Sequence, residues 1–303
     1  MAKYLSSTPD RYARFGHQSW SIAAGLLLSH LTGCKLIVPR YMYSCDKWNE
    51  YSDFSRSSMT ASAMKQGIER IVYLETLYPD KVGNRKFSLH SREGILDILN
   101  AICGINDNSL ICLPFDQGPG LLAKLFNKSV IRDDLKKVFV FSQKRNSPAS
   151  PYVCIHIRRG DVTPDSHPNW YVNNDFYIFL IGFLAEFLPS SLAIAVCTQG
   201  DASWLTSASF ARKIFIYTTS QLFTNDTEIE DFVLMTNADM LFANCSNYSD
   251  WANILGSHKC VFDVSRSRHF LSNVIRLDPD STFGSIKDSI IMEIEKVSSC
   301  LHV

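Results

Sequence analysis

Two adjacent arginines, a glycine and an aspartate, Arg158-Arg159-Gly160-Asp161, follow an apolar run from Tyr152 to Ile155 and the histidine His156. A guanidinium is a rigid fork of donors that matches phosphate oxygens two at a time. Predicted as a buried strand, the apolar run would deliver the pair to a carboxyl end, where ligands collect in open α/β sheets. The segment from His156 to Asp161 therefore reads as an anchor for a diphosphate. Taken alone it reads equally as an exposed turn, or as an adhesion tripeptide at Arg159-Gly160-Asp161, because short motifs recur by chance.

Two further segments carry residue types that suit the same chemistry. Arg14-Phe15-Gly16-His17-Gln18 stands just before a helical pattern near Trp20. A glycine there lets backbone N–H groups approach an anion or a sugar, and His17 can exchange a proton near neutral pH. An ordinary turn and a structural histidine explain the segment as well. The later segment runs from Asp239 through Asn244, Ser246, Asn247, Tyr248 and Ser249 to Trp251. Its loop follows a predicted strand and opens a predicted helix, so hydroxyls and N–H groups there can cradle phosphate, or simply cap the helix. Asp239 has the acceptors to read guanine, although an aspartate ahead of a strand is often a turn residue.

The elements that must position these groups alternate along the chain. Apolar runs predict strands at Leu36–Val38, Ile71–Leu74, Leu110–Leu113, Val138–Phe141, Tyr152–Ile157, Leu192–Cys197, Ile214–Tyr217, Met240–Ala243 and Cys260–Val264. Helical patterns fall at His17–Leu31, Arg92–Cys103, Gly118–Phe126, Asn174–Phe187, Glu228–Asn237, Asp250–Leu255 and Ser285–Cys300. The alternation predicts an α/β fold with parallel sheets. A polar stretch with two prolines, Ser142 to Pro151, reads as a linker and divides the 303 residues into halves, 1–147 and 148–303. The last helix is free to pack back on the first half.

Composition narrows the classes. With 46% hydrophobic and 20% charged residues the chain can bury proper cores. Lys plus Arg equals Asp plus Glu, 30 each, so no overall field favours nucleic acid or an acidic membrane. The amino terminus has no apolar signal core, and Trp20–Leu31 is too short to span a bilayer. Nine scattered cysteines with no CxxC pair suit reduced core thiols, and the sequons at Asn127, Asn225, Asn244 and Asn247 read as coincidental. These features predict a cytoplasmic protein, with peripheral membrane association left open. The aromatic stretch Tyr41 to Phe54 suits an acceptor groove or a core.

Together and in order, Arg-Phe-Gly-His-Gln, His-Ile-Arg-Arg-Gly-Asp and Ala-Asp-Met-Leu-Phe-Ala-Asn-Cys-Ser-Asn-Tyr-Ser-Asp-Trp resemble the superfamily of GDP-fucose-dependent fucosyltransferases. The likeness is nearest to the bacterial-type α1,2 branch, glycosyltransferase family 11, with some similarity to protein O-fucosyltransferases. It implies a GT-B fold of two Rossmann-like domains around a cleft, the acceptor side first and the GDP-sugar side second. By the resemblance, Arg158 binds the β-phosphate and neutralises departing GDP, while His156, Arg159 and Asp161 shape its pocket. Asp239 matches a guanine-holding position, and Asn244, Ser246, Asn247, Tyr248 and Ser249 match the phosphate loop. Gly16, His17 and Gln18 match a segment facing sugar and acceptor.

Four residues depart from the pattern: His17 for asparagine, Asn247 for serine, Tyr248 for phenylalanine and Asp250 for tryptophan. The expected reaction is inverting transfer of L-fucose to a galactoside of a surface glycan, with no metal and no other cofactor, since no convincing Asp-x-Asp site occurs. His17 and Asp161 are the candidate bases. A transferase for another nucleotide sugar, a protein O-fucosyltransferase-like enzyme and a non-catalytic nucleotide-sugar or glycan-binding protein remain alternatives.

Overall fold

The computed structural model describes residues 3–7, 15–37, 68–74, 91–113, 129–138, 148, 151–219, 226–244, 246–265 and 274–298. The chain divides into two compact units, Met1–Ser142 and Gln143–Val303. In the first, β1 (Tyr4–Ser7) leads to α1 (Phe15–Thr32) and β2 (Lys35–Leu36), followed by β3 (Arg70–Tyr73), α2 (Arg92–Cys103), β4 (Ser109–Leu113) and α3 (Ser129–Val138). The four strands form one parallel sheet in the order β2-β1-β4-β3. Helix α1 is buried from Phe15 to Leu28 at all but His17, as expected for a helix apolar on most sides. It ends at Gly33, whose φ of 72° accepts the left-handed turn and whose N–H donates to the Ser29 carbonyl at 2.9 Å.

The second unit contains β5 (Tyr152–Ile157), α4 (Asn174–Phe187), β6 (Ala193–Gln199), α5 (Ser203–Thr206), β7 (Phe215–Thr219) and α6 (Asp226–Thr236). It continues through β8 (Met240–Asn244), α7 (Asn247–Leu255), β9 (Cys260–Val264), β10 (Ile275–Leu277) and α8 (Phe283–Ser298). All six strands are parallel, in the order β10-β9-β8-β5-β6-β7. Alternation along β5 explains the two layers. Val153, Ile155 and Ile157 enter a core with Phe176, Tyr177 and Leu180 of α4 and Ile286, Ile290 and Ile294 of α8. Tyr152, Cys154 and His156 alternate to the opposite face, where α6 and α7 pack and the Tyr152 hydroxyl donates to the Leu234 carbonyl at 2.8 Å.

The uninterrupted apolar runs are the strands of a sheet covered on both sides. Helices Arg92–Cys103 and Asn174–Phe187 have the bounds expected from the sequence. The strand expected at Val138–Phe141 differs: Val138 closes α3, a charged amphipathic helix, and residues 139–141 lie outside the described residues. The helix expected at Gly118–Phe126, the aromatic stretch Tyr41–Phe54 and most of the linker from Ser142 also lie outside them. No helix among the described residues is long and apolar enough to cross a membrane.

Phe242 of β8 is fully buried and stacks on Phe262 at 4.4 Å between ring centroids. Phe242→Ala should lower unfolding stability by about 3–5 kcal/mol, read as a shift in the urea midpoint.

Candidate functional site

The strand order reverses at β5. The chain proceeds from β5 to β6 and β7 on one side, then returns to lay β8, β9 and β10 on the other. The chain leaves β5 toward β6 and leaves β8 toward β9, on opposite sides, which makes the gap between the carboxyl ends of β5 and β8 the natural crevice of a doubly wound sheet. The loop after β5 begins with Arg158, and the loop after β8 begins beyond Asn244 and opens α7. The sheet therefore brings these two sequence-predicted segments to the same edge.

Arg158 holds the carboxylate of Asp161 through two groups, Nη2 to Oδ2 at 3.0 Å and Nε to Oδ1 at 3.4 Å. Gly160 permits this return, because its φ of 80° suits a residue without a Cβ. A Cβ there would also stand 2.8 Å from Gln199 Oε1 at the end of β6. Both partners of the ion pair are partly open to solvent, with side-chain exposures of 22% and 32%. An exposed pair of this kind contributes at most about 1 kcal/mol, so a phosphate bearing more charge can share or take the fork. The Arg158 guanidinium also lies 5.1 Å over the Trp170 ring.

Arg159 has a different task. Its Nη2 donates to the Val172 carbonyl and to Asn174 Oδ1, both at 2.7 Å, and its Nη1 donates to the Arg158 carbonyl at 3.0 Å. It sits 4.5 Å over Tyr171 and 5.6 Å over Tyr177. Burial lowers its pKa from the ordinary value, with Tyr177 and Tyr171 opposing. The two arginines are thus not a matched pair of phosphate donors: Arg158 is presented, whereas Arg159 ties the loop to the start of α4.

His156 is buried in β5 and is uncharged near neutrality. Burial first, then the neighbouring Arg158, push its pKa down to about 3, with Asp161 opposing. Its Nδ1 has no hydrogen-bond partner among the described residues, and its ring lies 5.8 Å from that of Tyr248. Its ring is neutral there and a weak base.

The loop after β8 is first of all a helix start. Ser246 caps α7 by accepting from Ser249 N at 3.1 Å, and Ser249 Oγ donates to the Asn244 carbonyl at 2.6 Å. Asn244 is fully buried and donates from Nδ2 to the Tyr177 hydroxyl at 2.7 Å. The Tyr248 hydroxyl donates to the Glu228 carbonyl, and burial, then Glu228, push the phenol well up. Asn247 is the half-buried first residue of the helix. Of the hydroxyls and N–H groups expected from the sequence, the two serine hydroxyls are engaged in the cap, and the positive end of α7 is what the loop offers an anion.

Asp239 is not at this edge. Its Oδ2 accepts from Tyr152 N at 3.1 Å, at the amino end of β5, and its Oδ1 pairs with Lys259 Nζ at 3.4 Å. The length of β5, about 20 Å at ~3.3 Å per residue, separates it from Arg158. Asp239, expected from the sequence to read guanine, here closes the amino end of the sheet. Gly16, His17 and Gln18 belong to the first unit, where Gly16 and Gln18 are buried and His17 half-buried in the first turn of α1. Gly16 is inside the helix rather than in a loop ahead of it, and Arg14 lies outside the described residues.

Sequence reasoning passed over His167 and Trp170. Their rings stack at 4.7 Å between centroids and 7° between planes, beside Arg158. The spacing of three in a polar loop gave only a weak signal, since the contact depends on how the loop folds.

Two outcomes are expected. The unfolded chain protonates a histidine near 6.5 whereas folded His156 does so at about 3, so this residue's contribution to stability is full above 6.5 and is lost as pH falls toward 3. His156→Gln should therefore lose less of its denaturation midpoint than the wild type does between about pH 7 and pH 4. Asp239→Ala should cost about 1–3 kcal/mol of unfolding stability, read from the urea midpoint, by leaving the Tyr152 N–H without its acceptor.

The model of the family described as glycosyl transferase family 11 matches residues 130–268. No curated protein matches the chain. Among solved structures, the DNA modifying enzyme beta-glucosyltransferase, determined in the presence and absence of the substrate uridine diphosphoglucose, is similar at 11% identity. That alignment covers 98% of this chain and 92% of the other, with a TM-score of 0.26.

Proposed function

We propose that this chain is an inverting glycosyltransferase that moves L-fucose from GDP-fucose to a hydroxyl of a glycan, with a terminal galactoside as the preferred acceptor class. The observation that carries the reading is Arg158, held ready by Asp161 where the strand order reverses. The family 11 match spans that arginine and the α7 loop, and so supports both the activity and the donor class. Two units, each built on a parallel sheet, suit the GT-B organisation.

In this reading Arg158 takes the β-phosphate, with the positive end of α7 on the neighbouring strand. As the bond from the anomeric carbon to the phosphate oxygen breaks, charge grows on that oxygen. A guanidinium already oriented by Asp161 then stabilises the transition state more than the bound donor. Arg159, Asn174 and Tyr177 hold the loop and the α7 start in register through Asn244. Because Arg158 supplies the positive charge, a chelator should leave turnover unchanged.

The test follows GDP release from GDP-fucose with lactose as acceptor. Arg158→Ala should lower kcat by about 10²–10³, the usual cost of losing one such donor. An Arg158→Ala enzyme within a few-fold of wild type would remove the central support of the proposal.

A further inference from the structure

We infer that His167 is the general base of this site: its Nε2 accepts the proton of the attacking hydroxyl. The inference rests on the fucosyl-transfer reading and supplies the proton acceptor that reading leaves unassigned. His156 is held neutral, and the carboxylate of Asp161 is engaged by the fork of Arg158.

The loop itself fixes the imidazole. Nδ1 of His167 lies 3.1 Å from the Asp161 carbonyl oxygen and 3.1 Å from Ser166 Oγ. A carbonyl oxygen can only accept, so Nδ1 carries the hydrogen. Ser166 is consistent with this assignment: its hydroxyl gives its one hydrogen to the same carbonyl at 2.9 Å and accepts from Thr163 N at 2.9 Å and Thr163 Oγ1 at 3.0 Å, so it has no hydrogen to offer the ring nitrogen. A neutral imidazole with hydrogen on Nδ1 has its lone pair on Nε2. None of the hydrogen bonds to this ring among the described residues uses Nε2.

Orientation is fixed as firmly as tautomer. The nearly parallel Trp170 indole covers one face of the ring, and Trp170 N and Tyr171 N both donate to the His167 carbonyl at 3.0 Å. The same indole lies under Arg158, so one aromatic plate sets both the anchor for the leaving group and the base. The charged side chains of this loop are Arg158 and its partner Asp161, Arg159, which is tied to the start of α4, and Asp165 on the exposed turn. A half-buried histidine whose second nitrogen is pinned to a backbone carbonyl is the arrangement a proton acceptor needs.

The step balances. The acceptor hydroxyl gives its proton to Nε2 as its oxygen bonds to the anomeric carbon. The bond from that carbon to the β-phosphate oxygen breaks, and its electron pair leaves with GDP beside Arg158. The imidazolium then returns the proton to water.

His167→Asn tests this, because the Asn amide can still donate to the Asp161 carbonyl and preserve the loop while lacking a base. With GDP-fucose and lactose, kcat should fall by about 10²–10⁴, with GDP affinity and donor KM retained. The acidic limb of the wild-type pH–rate profile should vanish in the variant. A kcat within a few-fold of wild type, or loss of that limb in His17→Asn instead, would overturn the assignment. The ring chemistry is read without turnover from ¹⁵N-histidine spectra of the wild-type protein, with His167→Asn identifying the resonance. Hydrogen on Nδ1 is expected; hydrogen on Nε2 overturns the inference. Failure of the wild type to bind GDP or GDP-fucose would instead overturn the donor reading, and this inference with it.

Discussion

Everything in the second unit depends on the position of β5, which is paired on both sides and covered on both faces. A central parallel strand has no freedom to shift, since a slip of one residue would turn His156 into the core and a valine or isoleucine out of it. The loop after it starts from a fixed point, at the place where the next strands leave in opposite directions. Arg158 inherits that fixity from the backbone, and Asp161 adds the orientation of the fork. The charge is therefore organised before any ligand arrives, which is the condition for stabilising a transition state rather than merely binding a substrate.

The polar residues around this point divide into those that hold and those that are presented. Arg159 spends its donors on Val172, Asn174 and the Arg158 carbonyl. Ser246 and Ser249 close the start of α7, and Asn244 reaches across to Tyr177. These contacts join the loops after β5 and β8 through α4. Arg158, Trp170 and His167 are the ones left at the edge. Identical side chains in one tetrapeptide thus serve opposite ends, and only the geometry separates them.

Much of this was legible in the sequence because parallel strands buried on both faces read as unbroken apolar runs. Tyr152–Ile157, Met240–Ala243 and Cys260–Val264 are visible without any partner. Their carboxyl ends located the arginine loop and the α7 loop directly. Strand β1, Tyr4–Ser7, was invisible because half of it is serine; its stability comes from pairing with β2 and with β4, whose partners lie 106 residues further along the chain. Strand β10 is three residues long and gives no period. The contacts of Asp239 were not legible, because a sequence shows that an aspartate precedes a strand but not that it meets the backbone of a strand 87 residues away. His167 was missed because a tautomer is fixed by a turn that brings a backbone carbonyl to Nδ1, and no spacing rule encodes that.

The most direct measurement of the central claim is hydrogen exchange of the full chain with and without saturating GDP. Protection should appear in the amides of residues 158–161 and 246–249, at the carboxyl ends of β5 and β8. Protection confined to the opposite edge, around Asp239 and Lys259, would contradict the account, as would none in either loop despite bound nucleotide.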